Sequence, residues 1–236
     1  MSEAPLLSVR DLRFRWPGAA RDTLDIPEFT LHAGESVFLR GPSGCGKSTL
    51  LSLITGVLTA EAGEVALLGQ SWRALSGARR DRHRADHVGY IFQQFNLLPY
   101  RSARDNALLS CAFSRRRARR AGDAGAQASL LLARMGIDAD TERRRADQLS
   151  VGQQQRVAAV RALLGRPELV IADEPTSALD EDHRDRFMAL LHQACRDAGS
   201  ALLFVSHDGR LAPAFSRVLD LARLNRAAAA TATEAA

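Results

Sequence analysis

One nine-residue stretch, Gly41, Pro42, Ser43, Gly44, Cys45, Gly46, Lys47, Ser48 and Thr49, constrains this chain more than any other. It fits G-x-x-x-x-G-K-[ST] in full, and its flanks give the pattern physical meaning. Upstream, Ser36 to Arg40 is a short, mostly apolar run containing β-branched Val37, as a buried strand requires. Downstream, Thr49 to Val57 reads as a helix. Glycines let the backbone curl so that successive N–H groups face inward, and the helix adds its positive end. Such a cradle suits the phosphates of a nucleoside triphosphate. Lys47 then reaches the β- and γ-phosphates, and the Ser48 hydroxyl is placed for Mg²⁺. Lys47 is also the only lysine in a chain that otherwise uses arginine. A slender ammonium fits the bore of such a loop where a wide guanidinium does not. Cys45 is either a small filler residue or a thiol activated by the helix end.

The rest of the chain alternates strand and helix signals. Leu6 to Arg15 alternates apolar and polar residues, and Pro17-Gly18 turns the chain. Phe29 to His32, Glu64 to Leu68 and Val88 to Phe92 read as further short strands. From Asn106 to Met135 the composition is alanine, leucine and arginine, helical in character, with a glycine-containing break near Ala121 to Gly125. Val151 to Leu164 is helical, Leu169 to Ala172 a buried strand, Asp182 to Ala198 a helix and Ala201 to Val205 a last buried strand. This order implies an α/β fold with a mostly parallel sheet covered on both faces. The residues after Leu224, alanine-rich from Ala227 to Ala236, read as a low-complexity tail.

The second half of the chain carries a resemblance. Leu149-Ser150-Val151-Gly152-Gln153, followed by Gln154-Gln155-Arg156, resembles the signature motif of ABC ATPases. Leu169-Val-Ile-Ala-Asp173-Glu174-Pro-Thr resembles their Walker B strand, Ser177 to Asp180 their D-loop, and Val205-Ser206-His207-Asp208 their switch-histidine strand end. Gln93, in Tyr90-Ile-Phe-Gln-Gln-Phe-Asn, resembles the glutamine of the Q-loop. All of these stand in the family's order, and the likeness spans about Leu6 to Arg223. It implies a P-loop NTPase of ABC type: a parallel core, an antiparallel β-subdomain, and a helical subdomain at about 94–160. Residues 1–225 then form one nucleotide-binding domain and 226–236 a disordered tail. ATP and Mg²⁺ are the implied ligands, and ATP hydrolysis coupled to transport is the implied activity.

The same resemblance implies roles. Asp173, Ser48 and Gln93 would serve the metal; Glu174 would be the general base; His207 and Gln93 would complete the catalytic set. Taken alone, an Asp-Glu pair at a strand end equally suits a helix cap. Ser150, Gly152, Gln153 and Asp180 would meet the nucleotide held by a second copy, so a head-to-tail homodimer with two active sites is implied. Val151 stands where the commonest signature has glycine, which puts that loop's local geometry in question. Trp16 either stacks on adenine or belongs to the core.

Partners follow from charge and patterning. The balance of +5 suggests an anionic partner in principle, but it reflects the arginine bias, and no nucleic acid is expected. Arg115 to Arg120 reads as a solvated helix end or loop. Three scattered cysteines build neither a disulfide framework nor a zinc site. No apolar run reaches the roughly 18 to 20 residues of a membrane span, and the N-terminus lacks a basic leader. A cytoplasmic protein held at the inner face of the membrane by a permease is the expectation. The apolar run Phe95 to Tyr100 would form a groove that accepts a coupling helix from the permease, local packing being the alternative. Phe-Gln-Gln-Phe-Asn-Leu-Leu-Pro with LSVGQQQR most resembles the lipoprotein-releasing and macrolide-exporting group, whose permeases have few membrane helices and work by mechanical transmission. An ABC ATPase that regulates a membrane protein without transport is the second reading. A soluble repair or translation ATPase is disfavoured, for it would carry coiled-coil or zinc insertions or two such domains.

Overall fold

The structure is a computed structural model that describes residues 4–177 and 179–227. The first half runs β1 (Leu7–Phe14), β2 (Leu24–Leu31), β3 (Ser36–Arg40), α1 (Lys47–Ile54), β4 (Ala62–Leu67), β5 (Gln70–Ser71), α2 (Gly77–His87) and β6 (Val88–Ile91). Then follow α3 (Ala103–Phe113), α4 (Arg115–Ala121), α5 (Ala124–Arg134), α6 (Ala139–Arg143), α7 (Val151–Leu163) and β7 (Leu169–Asp173). The described chain closes with α8 (Glu181–Ala198), β8 (Ala201–Val205), β9 (Arg217–Asp220) and α9 (Leu221–Leu224). Strands β3 and β8 have the bounds read from the sequence. Helix α2 escapes that reading because its residues, GARRDRHRADH, include none that is buried, so no apolar period marks it.

Two compact units divide the chain. One comprises Met1–Arg84 with Val205–Ala236, the other Ala85–Phe204. In the first, an antiparallel sheet has the order β2-β1-β4-β5. Leu7, Val9, Leu12 and Phe14 of β1 are buried while Arg10, Asp11 and Arg13 face water, a period-two pattern that shifts by one residue at an irregularity where Asp11 takes φ of 46°. Strand β3 pairs in parallel with β9, from Val37↔Arg217 to Arg40↔Asp220. Asp220 takes the Arg40 guanidinium at 3.1 Å, so the strand feeding the glycine loop is fastened at its end.

In the second unit β6 pairs in parallel with β7, from Val88↔Leu169 to Ile91↔Ala172. Leu169 to Ala172 and Ala201 to Phe204 are buried throughout, as strands covered on both faces must be. Gly89 of β6 lies directly against α7. A Cβ on Gly89 would come within 2.2 Å of the Ala162 carbonyl oxygen, so helix and strand touch backbone to backbone.

The arginine run does not behave as a solvated end. Arg117 is buried, and its guanidinium donates to the carbonyls of Leu164 (2.8 Å), Arg161 (3.1 Å), Ala162 (2.5 Å) and Val88 (3.4 Å). Most of these are the unsatisfied carbonyls at the end of α7, which a cation satisfies best. Burial lowers the Arg117 pKa to about 10, and nearby Cys111 and Glu168 oppose that fall. Arg116 and Arg120 also find a partner, donating to Glu168 at 2.7 and 2.6 Å, while His87 Nδ1 sits 2.8 Å from the same carboxylate. Burial alone would raise the Glu168 pKa, but hydrogen bonds from His87 and Arg116 outweigh it and hold the carboxyl at about 2.

Candidate nucleotide site

The phosphate loop leaves β3 and enters α1 in the first unit. Gly44 and Gly46 have φ of 81° and 99°, a region that favours glycine, and Gly46 sits at the N-cap of α1. A Cβ on Gly46 would meet Leu24 Cδ2 at 2.7 Å, so the loop is pressed against the start of β2. Gly41 is similarly confined, because a Cβ there would lie 2.6 Å from Cys45 Sγ. Cys45 thus fills the inside of the curl. The Lys47 ammonium folds over the loop and donates to the carbonyls of Gly41 (2.7 Å) and Pro42 (3.0 Å). Pro42, Ser43, Gly44 and Ser48 are exposed and Thr49 is half-buried. The first turn of α1 contains no acidic residue, so its positive end stays available to an anion.

Two more expected residues belong to this unit. Trp16 is 46% exposed and meets Phe14 edge-on, with centroids 5.2 Å apart. Of the two sequence readings, the core one fails. His207 is exposed just past β8, beyond buried Ser206, whose N–H donates to the Leu39 carbonyl at 3.2 Å.

The remaining residues belong to the second unit. Asp173 ends β7, and Glu174 follows with φ of 46°, a left-handed conformation uncommon for a residue with a side chain. The turn is held from α7, where buried Gln155 donates to the Pro175 carbonyl at 2.8 Å. The Tyr90 hydroxyl donates to Asp173 Oδ2 at 3.2 Å. Burial, then the Asp173 charge, then that hydrogen bond push the Tyr90 pKa up, so the hydroxyl keeps its proton. Gln93 is exposed two residues past the end of β6.

Phe95 and Asn96 come next with φ of 58° and 48°, two left-handed residues in succession. Arg161 of α7 holds both, donating to the Phe95 carbonyl (2.5 Å) and the Asn96 carbonyl (2.6 Å). Buried Asn106 of α3 accepts from Leu98 N–H at 2.7 Å and donates to the carbonyls of Leu98, Arg101 and Ser102. The expected apolar groove is therefore divided. Phe95 is only 7% exposed and packs locally, Leu97 and Leu98 are half-buried, and Tyr100 projects with 62% exposure.

Ser150 caps α7. Its hydroxyl accepts from Gln153 N–H at 3.3 Å, and Gln153 Oε1 accepts from Ser150 N–H at 2.9 Å, a reciprocal capping box. Val151 is the first helical residue and 48% exposed, so its branch points into solvent and the helix starts undisturbed. The first turn again lacks acidic residues. Asp180 caps α8, accepting from His183 N–H at 2.9 Å; that bond and the His183 side chain lower its pKa. Ala178 of the D-loop lies outside the described residues.

Ser48, Gln93 and Asp173 offer hard oxygen donors of the kind Mg²⁺ takes. No group of three or more His, Cys, Asp and Glu residues gathers among the described residues. The sequence singled out neither Tyr90, Asn106, Gln155 nor Arg161 as a support, since each acts through a tertiary contact that no local pattern announces.

Comparison with known proteins agrees with this geometry. A family model described as ABC transporter matches residues 24–177. The chain is 43% identical over 194 residues to the lipoprotein-releasing system ATP-binding protein LolD of Anaeromyxobacter dehalogenans (strain 2CP-C), covering 82% of this chain and 80% of that one. It is 35% identical over 223 residues to the macrolide export ATP-binding/permease protein MacB of Shigella flexneri, covering 92% of this chain but 33% of MacB. The fold matches the dimeric bacterial ABC transporter cassette MJ0796 with a TM-score of 0.79 at 30% identity, covering 91% of this chain and 93% of that one. A dimeric post-hydrolysis state of that cassette, bound to ADP and Pi, gives a TM-score of 0.77 at 30% identity. With its glycine cradle, its acid-tipped strand and these relatives, the chain belongs to the ABC transporter family as an ATP-hydrolysing cassette.

Proposed function

We propose that two copies of this chain close head to tail over two ATP molecules and that the closure drives a separate membrane permease. The observation that carries this reading is the Ser150 end of α7: a capped helix start within the signature-like motif, with no acidic residue in its first turn, as at α1 behind the glycine loop. Glycine loop and Ser150 end then each suit the phosphates of a nucleotide, and a second copy lets one chain's Ser150 end meet the triphosphate in the other's loop. The dimeric state of MJ0796 supports the pairing.

In this reading Trp16 offers its exposed face to the adenine, and Gly41 to Thr49 wrap the phosphates. Lys47 exchanges its two loop carbonyls for β- and γ-phosphate oxygens. Mg²⁺, when bound, neutralises phosphate charge; Asp173, Ser48 and Gln93 would hold it. Glu174 takes a proton from the attacking water, and His207 and Gln93 keep that water in line. The second copy closes the site with Ser150, Gly152 and Gln153, and Asp180 lies at the junction. Residues 1–225 act as the working domain, with the helical segment at about 94–160 as its moving arm.

The permease would dock near Phe95 to Tyr100, with Tyr100 as its anchor, and hold the chain at the inner face of the membrane. No helix among the described residues is long and apolar enough to cross a membrane. The kinship with LolD and MacB favours lipoprotein release or export as the class of work. Glu174→Gln tests the core of the proposal. With Mg²⁺ and ATP it should run at twice the protomer mass by light scattering, and it should revert on ATP removal. A protomer mass under those conditions would sink the paired site.

A further inference from the structure

Asn225 lies far along the chain from the phosphate loop, where the sequence shows only the approach to an alanine-rich tail. The structure buries it to 1% exposure. Its Oδ1 accepts from Asp25 N–H (2.8 Å) and Ala227 N–H (3.2 Å). Its Nδ2 donates to the Thr23 carbonyl (2.9 Å) and, at the long end of the range, to the Cys45 carbonyl (3.4 Å). Two donors and two acceptor sites are the whole capacity of a side-chain amide, and all four are in use.

These partners converge on one corner of the site. Cys45 belongs to the phosphate loop, while Thr23 and Asp25 flank Leu24, the residue against which Gly46 is pressed. A Cβ on Gly46 would also sit 3.5 Å from the Thr23 carbonyl that Asn225 holds. The peptide joining Cys45 to Gly46 is planar, with its carbonyl and N–H pointing in opposite directions. A donor fixed on the Cys45 carbonyl therefore turns the Gly46 N–H away from Asn225.

We propose that Asn225 is a positioning residue for the phosphate loop: it clamps the Cys45 carbonyl and the Leu24 backing together and so presets the Gly46 N–H for phosphate. This rests on the reading of Gly41 to Thr49 as the ATP cradle. A clamp on the resting loop acts alike on bound substrate and transition state, so its loss raises the KM for ATP and leaves kcat nearly unchanged.

Asn225→Ala tests this, with Leu12→Ala as a control that destabilises buried β1 at a residue to which Asn225 makes no hydrogen bond. Binding of a fluorescent ATP analogue is measured well below both melting temperatures, alongside ATP turnover. Asn225→Ala should weaken binding about 5- to 20-fold and raise KM in step, while Leu12→Ala melts early but binds normally. If Asn225→Ala does not fold, Asn225→Asp replaces it. The aspartate keeps the two accepted bonds, loses both donations, and should show the same loss of affinity. Normal affinity in the Asn225 variant, or an equal loss in Leu12→Ala, would overturn the clamp. Absence of ATP binding by the unaltered chain would instead overturn the cradle reading itself.

Discussion

The phosphate loop and the segment from Phe92 to Asn106 are both irregular, both enter a helix, and are built by opposite means. The first takes its angles from its own residues: glycines adopt the left-handed region and Lys47 closes over carbonyls five and six residues away, with Asn225 adding one outside contact at the Cys45 carbonyl. The second puts Phe95 and Asn96 into left-handed angles without any glycine and is restrained by helix side chains, Arg161 of α7 and Asn106 of α3. Backbone in sparsely populated regions costs on the order of 1 to 3 kcal/mol per residue, so such a loop persists only where its surroundings impose it. A loop that shapes itself can be copied between proteins as a motif. A loop shaped by its neighbours cannot.

The largest effect should come from the first region. Lys47→Ala removes the only ammonium at the phosphates and should lower ATP hydrolysis by about 100-fold or more. Because Lys47 bonds only to its own loop, thermal melting without nucleotide should scarcely move, which phosphate release and calorimetry together will check. A large drop in melting temperature would break the contrast by showing the loop to be a structural pillar as well.

Arg117→Ala should behave inversely. It strands carbonyls at the end of α7 in a buried place and should cost about 3 kcal/mol of folding stability by urea denaturation. The affinity of the folded fraction for ATP should stay close to normal. If stability is unchanged, side-chain restraint in this unit is weaker than its geometry implies.

Tyr90→Phe is the finest probe. Removing the hydroxyl that Asp173 accepts should raise the Mg²⁺ concentration for half-maximal ATP binding by about 3- to 10-fold, with binding in EDTA unaltered. An equal change with and without Mg²⁺ would assign Tyr90 to packing alone.

Legibility in the sequence follows the same division. Gly41 to Thr49, Asp173-Glu174 and the Ser150 cap are visible because their chemistry is local, within one turn or one strand end. Strands β3, β7 and β8 are visible because full burial leaves continuous apolar runs. Helix α2 is invisible because none of its residues is buried, so no apolar period marks it. Arg117 hides in a run of like residues, and only its carbonyl partners, 44 to 47 residues along the chain, distinguish it from Arg115 or Arg119. Asn225 is hidden by a still longer separation of 200 residues from Asp25. Phe95 reads as part of an exposed cluster because nothing local records that Arg161 folds the backbone over it.

Gly89 has a mechanical corollary. Where side chains separate two elements, a displacement of a few tenths of an ångström is soaked up by rotamer changes before it travels far. At Gly89 no strand side chain intervenes, since the Ala162 carbonyl of α7 rests on bare backbone. A shift of that end of α7 therefore bears directly on β6, the strand that leads to Gln93.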